Sequence, residues 1–214
     1  GEGKDLSLPQ LENMGFQGIL VTAGALKIKE LKVEGESLPR VYHAWEIVSK
    51  YNNLPPYSQM EFPIGEKVVI VGVGNVMADV ARYLIQKGGV KEITAVARRG
   101  PAEIKFHETE FAHIAQNLDL SDFEAEMERV TPLMLKLGQD PNETWAFIEK
   151  ACENCEEKTG DTNFRLRFLK SPVRFWGDEH RGLQGVECIE NSLVEENHVM
   201  KTIPTALHTI FDAD

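Results

Sequence analysis

Two glycines, Gly72 and Gly74, and a pair of arginines, Arg98-Arg99, are the residues whose types and spacing most suggest chemistry. Glycine lets a backbone fold sharply and approach a ligand because no Cβ stands in the way. These glycines follow the apolar run Val68-Val-Ile-Val71, which reads as a strand buried on both faces. They precede a stretch in which Val76, Val80, Ala81, Leu84 and Ile85 recur at helical spacing until Gly88-Gly89. Strand, glycine turn and helix start, in that order, aim unpaired backbone N–H groups and the positive end of a helix dipole at one point. Such a point suits a diphosphate. A second strand, Glu92 to Ala97, completes a β-α-β unit and ends on the arginines.

The third position of the usual G-x-G-x-x-G pattern is Met77, and a Gly-x-Gly turn also serves methyltransferases and plain tight turns. The second strand end is more informative. Proteins that bind NAD usually place an acidic residue there to accept hydrogen bonds from ribose hydroxyls. A guanidinium is a poor partner for a neutral ribose and a strong, often bidentate one for a 2′-phosphate. Arg98 and Arg99 therefore point to NADP, the bland alternative being two solvated arginines at a strand end.

Several stretches, taken in order, resemble the NADP-binding domain of adrenodoxin-reductase-type ferredoxin–NADP reductases, relatives of the glutamate synthase small subunit. They are Thr22-Ala-Gly24-Ala, Val33-Glu-Gly35-Glu36-x-Leu38-Pro39, Tyr51-Asn52-x-Leu54-Pro55, Gly72-x-Gly74-Asn75-Val-x-x-Asp79-Val-Ala-Arg82, Arg98-Arg99-Gly100-Pro101, Phe106 with Glu110, and Arg167-Phe168-x-x-Ser171-Pro172. The resemblance implies that Gly72, Gly74, Asn75 and Val76 line the pyrophosphate, that Arg98 and Arg99 grip the 2′-phosphate, and that Glu110 reaches the ribose or nicotinamide side. Asp79, one turn into the helix, reads either as part of that site or as an acid suited to the helix dipole beside Arg82.

Reductases of this type resemble one another in carrying FAD on a separate glycine-rich motif, which this chain lacks. The resemblance thus implies a fragment of an NADPH-dependent flavoprotein, passing reducing equivalents between NADPH and a ferredoxin-like or other electron carrier, and inactive without its FAD domain. The alternatives are the same domain from a glutamate-synthase-like or dithiol-reducing flavoprotein, or a non-enzymatic nucleotide-sensing module.

The elements that must position these residues follow from pattern. The expected fold is α/β, a Rossmann-like three-layer domain with a parallel sheet, an antiparallel β-meander and a helical insertion. Residues 1–60 are expected to link from the FAD domain and to contain the strand Gly18–Thr22; 61–200 form the NADP-binding domain, with the insertion at 101–163; 201–214 lead back towards the flavin. Insertion helices are expected over Lys105–Gln116, Ser121–Leu137 and Asn142–Lys158. Ser121 and Glu124 offer a capping box, and Phe123, Met127, Val130, Leu133, Met134 and Leu137 form an apolar stripe. Strands are expected at Phe164–Leu169, Val173–Trp176 and Val186–Glu190, the meander, with His208–Phe211 as a last parallel strand.

With 214 residues, 42% of them hydrophobic, the chain can bury a core without disulfides or metal. No apolar run approaches the ~18 residues of a membrane span, and a cytoplasmic setting is expected. Between Pro101 and Gly160 stand 14 Asp or Glu against 5 Lys or Arg, a net −9 of the chain's −11. Such acidity disfavours nucleic acid.

Cys152-Glu-Asn-Cys155 could be structural, a labile disulfide or half of a zinc site. Glu153, Glu156 and Glu157 beside it would blunt a thiolate, and Cys188 stands apart. His107 and His113 are six apart, about 120° off on a helix, so they do not form the H-E-x-x-H face of a metalloprotease.

Mammalian members of the resembled family carry a basic insertion that helps dock an acidic ferredoxin, and here the insertion is acidic. Two acidic surfaces lose electrostatic steering. Titration of this chain with an acidic ferredoxin should therefore show no salt-sensitive binding; tight binding weakened by salt would contradict it.

Overall fold

The computed structural model describes residues 6–20, 28–155, 157–158, 160–196 and 199–214. The chain divides into two compact units, Gly1–Glu30 and Leu31–Asp214. The first contains helix α1 (Leu8–Asn13), capped by a reciprocal pair of hydrogen bonds between Ser7 and Gln10. Residues 18–20 carry no regular structure, and the rest of the strand expected over Gly18–Thr22 lies outside the described residues, as does the Thr22–Ala25 stretch.

The second unit runs α2 (Ala44–Tyr51), β1 (Lys67–Val71), α3 (Asn75–Lys87), β2 (Glu92–Val96), α4 (Glu108–Ala112), α5 (Leu120–Lys136), α6 (Pro141–Glu153), β3 (Asn163–Arg167), β4 (Lys170–Asp178), β5 (Gly182–Glu196) and β6 (Val199–Asp212). Strands β1, β2 and β3 form a parallel sheet in that order, while β4, β5 and β6 form an antiparallel meander. The fold is α/β, with a parallel sheet, a meander and a helical insertion between β2 and β3.

Strand β2 is the central strand and is buried along nearly its whole length. Strand β1, expected to be buried on both faces, is only partly buried because it lies at the sheet edge. Phe164–Leu169 is not the first meander strand: Asn163–Arg167 pairs in parallel with β2, each residue from Glu92 to Val96 meeting its partner without a shift. His208–Phe211 is likewise not a parallel strand. It belongs to β6, which pairs antiparallel with β5 from Val199 opposite Glu196 to Asp212 opposite Gly185.

The insertion departs from expectation at its helix ends. Lys105–Gln116 is not one helix, since only Glu108–Ala112 is α-helical and a single 3₁₀ turn follows at Ala115–Asn117. Asp119, not Ser121, caps α5, its carboxylate accepting the Asp122 N–H at 3.2 Å; Leu120 is already helical, so Ser121 falls inside the first turn and its hydroxyl donates to Asp119 instead. That N–H holds the Asp119 carboxyl below the usual carboxylate range. Helix α6 begins on Pro141, where a missing N–H costs nothing, and ends at Glu153, leaving Cys155 beyond it.

The α5 stripe faces inward as the pattern requires. Phe123, Met127, Val130 and Met134 are buried, Leu133 and Leu137 pack beside them, and Phe123 meets Trp145 edge to face at 5.0 Å. Each such burial contributes roughly 1.5–3 kcal/mol.

A partly buried ionic network joins α5 to Phe168, just past β3, and to the meander. Glu126, 5% exposed, accepts from Arg129 at 2.8 and 2.9 Å and from the Phe168 N–H at 2.7 Å. Arg129 also donates to the Phe168 carbonyl and to Glu190 on β5. Glu190 in turn receives the buried Lys170 ammonium, which also reaches Thr209 on β6. Removing Glu126 leaves the buried Phe168 N–H without its acceptor, at a cost of about 1–3 kcal/mol, while the partly exposed Arg129 keeps Glu190. Glu126→Ala should therefore lower unfolding stability in urea by about 2 kcal/mol, whereas a loss below about 0.5 kcal/mol would show that the network does not hold the layers together.

Candidate functional site

Gly72 follows β1 at φ +117°, a conformation open to glycine, and its N–H donates to the Val96 carbonyl at the end of β2 at 2.8 Å. That bond, continuing the in-register pairing of β1 and β2, brings the glycine turn and the Ala97-Arg98-Arg99 segment out on one edge of the parallel sheet. Carboxyl ends of parallel strands are where α/β sheets bind ligands.

Helix α3 starts on Gly74. The Gly74 carbonyl takes the N–H groups of Met77 and Ala78, while the Gly74 and Val76 N–H groups have no hydrogen-bond acceptor among the described residues. A Cβ built on Gly72 or Gly74 meets nothing within 4 Å, so this face of the turn is open space. Val76 is 51% exposed. Met77, at the place of the usual third glycine, is buried, and the small buried residues Ala78 and Ala81 keep α3 close to the sheet.

Asn75 does more than line the turn. Its side-chain oxygen accepts the His107 N–H at 2.7 Å, and the Lys105 N–H bonds to the Val73 carbonyl at 3.2 Å, which fastens the segment leading into α4 beside the turn. That segment presents Glu110, half-buried on α4 and without an ion pair or hydrogen bond among the described residues. Asp79 is exposed on α3.

Arg98 is exposed and Arg99 half-buried, and neither guanidinium has a partner among the described residues. Their backbone is tightly held. The Ala97 carbonyl accepts the Lys170 N–H at 2.8 Å, the Arg98 carbonyl accepts Asn191 Nδ2 at 3.1 Å, and the Arg99 carbonyl accepts the Leu169 N–H at 3.1 Å. Just beyond, the Gly100 N–H donates to Glu103 at 3.0 Å. Gly72, Gly74, Asn75, Val76, Arg98 and Arg99 thus share one sheet edge, with α4 and Glu110 tied to it. Sequence reasoning missed Leu169, Lys170 and Asn191. The available signal was a polar Asn191 at an inward position of a strand whose inward neighbours, Cys188 and Leu193, are apolar and buried.

No known family profile matches the chain. It is similar to the mitochondrial NADPH:adrenodoxin oxidoreductase of Arabidopsis thaliana, 26% identical over 90% of this chain and 46% of that protein, and to that of Mus musculus, 30% identical over 95% and 47%. The NADPH-ferredoxin reductase FprA of Mycobacterium tuberculosis is 25% identical over 85% of this chain and 44% of its own length. The chain is related to the adrenodoxin-reductase-type reductases. It spans about half the length of the curated relatives it matches. A solved FprA structure in complex with NADPH superimposes with a TM-score of 0.68 at 23% identity, covering 89% of this chain and 47% of that one, a likeness of fold.

Cys152 lies in the last turn of α6, Cys155 just beyond it, and Cys188 on β5. Cys155 Sγ donates to the Cys152 carbonyl and accepts from Gln116, each at 2.6 Å, and all three cysteines are free thiols. No cluster of three or more metal-ligating side chains occurs among the described residues. Burial raises the Cys152 thiol and pushes Cys188 up to about 12. In native protein at about pH 8 a disulfide-exchange reagent should label Cys155 first and leave Cys188 unlabelled until denaturant is added; native labelling of Cys188 would contradict its burial.

Proposed function

We propose that this chain is the NADP(H)-binding part of an FAD-dependent oxidoreductase that exchanges reducing equivalents between NADPH and a ferredoxin-like electron carrier. The carrying observation is the shared sheet edge: an open glycine turn with free N–H groups at Gly74 and Val76, beside two arginines with no protein partner among the described residues. The relatives' names, adrenodoxin oxidoreductase and NADPH-ferredoxin reductase, support the same reading.

In this reading Gly72 and Gly74 let the pyrophosphate approach the backbone, and the N-terminal N–H groups of α3 stabilise its charge. Arg98 and Arg99 supply charge-assisted hydrogen bonds to the 2′-phosphate, where an acidic residue would have selected NAD. Asn75 orients the approach to α4 so that Glu110 faces the ribose or nicotinamide side. Bound NADPH supplies a hydride. The flavin that splits it into single electrons is assigned to the part of the whole protein that the relatives have beyond the aligned half.

No helix among the described residues is long and apolar enough to cross a membrane. A cytoplasmic setting goes with this proposal, and free thiols suit a reducing compartment. The acidic insertion, helices α4 to α6 included, argues that an acidic carrier docks elsewhere on the whole protein.

Hydrogen bonds to charged groups contribute about 1.5–3 kcal/mol. Arg98→Ala and Arg99→Ala should each weaken NADP⁺ binding by about tenfold or more, measured by calorimetry, and leave NAD⁺ affinity within about twofold. A wild-type chain that binds neither nucleotide would overturn the proposal.

A further inference from the structure

Three consecutive carbonyls, Ala97, Arg98 and Arg99, accept hydrogen bonds from the antiparallel meander or the residue leading into it. Two of the donors, Lys170 N–H and Leu169 N–H, are backbone groups that no ordinary substitution removes. The middle carbonyl depends on one side chain, the carboxamide of Asn191 on β5. Asn191 is 5% exposed. Its Nδ2 donates to Arg98 O at 3.1 Å and to Ser171 Oγ at 2.8 Å, and its own N–H donates to the Leu169 carbonyl at 2.7 Å. A carbonyl only accepts, so the Arg98 contact sets which end of the amide faces it. The pairing of β5 with β6 shifts register between Ile189 and Asn191, a bulge of the kind that re-aims a side chain. Leu169, at φ +56°, turns the chain from β3 into β4 at the same point.

Given the NADP reading above, we propose that Asn191 is a positioning residue for nucleotide selectivity: it fixes the Arg98 peptide plane, and with it the directions in which Arg98 and Arg99 leave the backbone. It is buried behind the arginines and acts through them without touching nucleotide. When the donor is lost, the Arg98 peptide plane can tilt between the Ala97 and Arg99 carbonyls, which Lys170 and Leu169 still hold, and the two guanidinium groups must be ordered further at the moment of binding, which weakens recognition of the 2′-phosphate. The pyrophosphate turn has its own hydrogen bonds and is unaffected.

The test is calorimetric titration of the 214-residue chain with NADP⁺ and with NAD⁺. Asn191→Ala should raise the Kd for NADP⁺ about fivefold to tenfold and leave that for NAD⁺ within twofold, consistent with loss of a net hydrogen bond. In the Arg98→Ala/Arg99→Ala background the same substitution should cost NADP⁺ less than about twofold, since its effect runs through those two arginines. Ser171→Ala, which takes the acceptor from one Asn191 Nδ2 hydrogen and loosens the amide while leaving its bond to Arg98 possible, should cut the NADP⁺ preference by about twofold to threefold, and it decides the matter if Asn191→Ala does not fold. Equal weakening of both nucleotides, full additivity with the paired Arg98→Ala and Arg99→Ala substitutions, or an unchanged preference in the variants would overturn the inference while leaving the NADP reading intact. A wild-type chain without NADP⁺ preference overturns both.

Discussion

The in-register parallel pairing of β1, β2 and β3 is the constraint on which the rest of the structure depends. Lys67 meets Glu92, Glu92 meets Asn163, and each following residue keeps step until Val71, Val96 and Arg167 end together. Three strands that stop at one level deliver three connections to one edge: the glycine turn into α3, the arginine segment, and the crossing at Leu169 into the meander. A shift of one residue would turn every side chain of a strand to the other face. Here it would also withdraw one of those connections from its neighbours.

The meander braces that edge from behind. Its residues Lys170 and Asn191, with Leu169 just before it, hold the carbonyls of the arginine segment, and the ionic network of Glu126, Arg129, Glu190 and Lys170 keeps α5, β4 and β5 in contact. A further tie comes from Gly35. There the chain runs so close to β4 that an added Cβ would stand 1.9 Å from the Phe175 carbonyl, while the Phe175 N–H donates to Glu34 at 2.8 Å. At the other end, Asp214 joins the approach to β1 through bonds to Gly65 and Lys67. Long arginine side chains are flexible and costly to order, and in the proposed role a rigid backbone beneath Arg98 and Arg99 reduces that cost.

Local pattern made much of this legible. Apolar spacing from Val76 to Ile85 marked α3 to within a residue or two, the glycines marked its start and stop, and the stripe from Phe123 to Leu137 marked the buried face of α5. What local pattern did not reach were features decided by partners distant in sequence. Residues 163–167 have the alternation of any half-buried strand, and only the neighbour they find, β2, makes them parallel. Ser121 and Glu124 carry a capping box, yet Asp119 wins because Arg165 and the start of β3 hold it beside the first turn. The single helix expected from Lys105 breaks because Asn75, thirty-two residues earlier, takes the His107 N–H and sets a new helix start.

The sequence by itself determined the class of fold and named the candidate site residues, because glycine's freedom, helix periodicity and the charge of arginine are properties of the residues themselves. It could not determine which strands would become neighbours, nor that Leu169, Lys170 and Asn191 would stand behind Arg98. Those are contacts between groups some seventy to ninety positions apart, and nothing in local propensity encodes them. Tertiary structure decided them, because a buried carbonyl must find a donor wherever the packed sheets bring one.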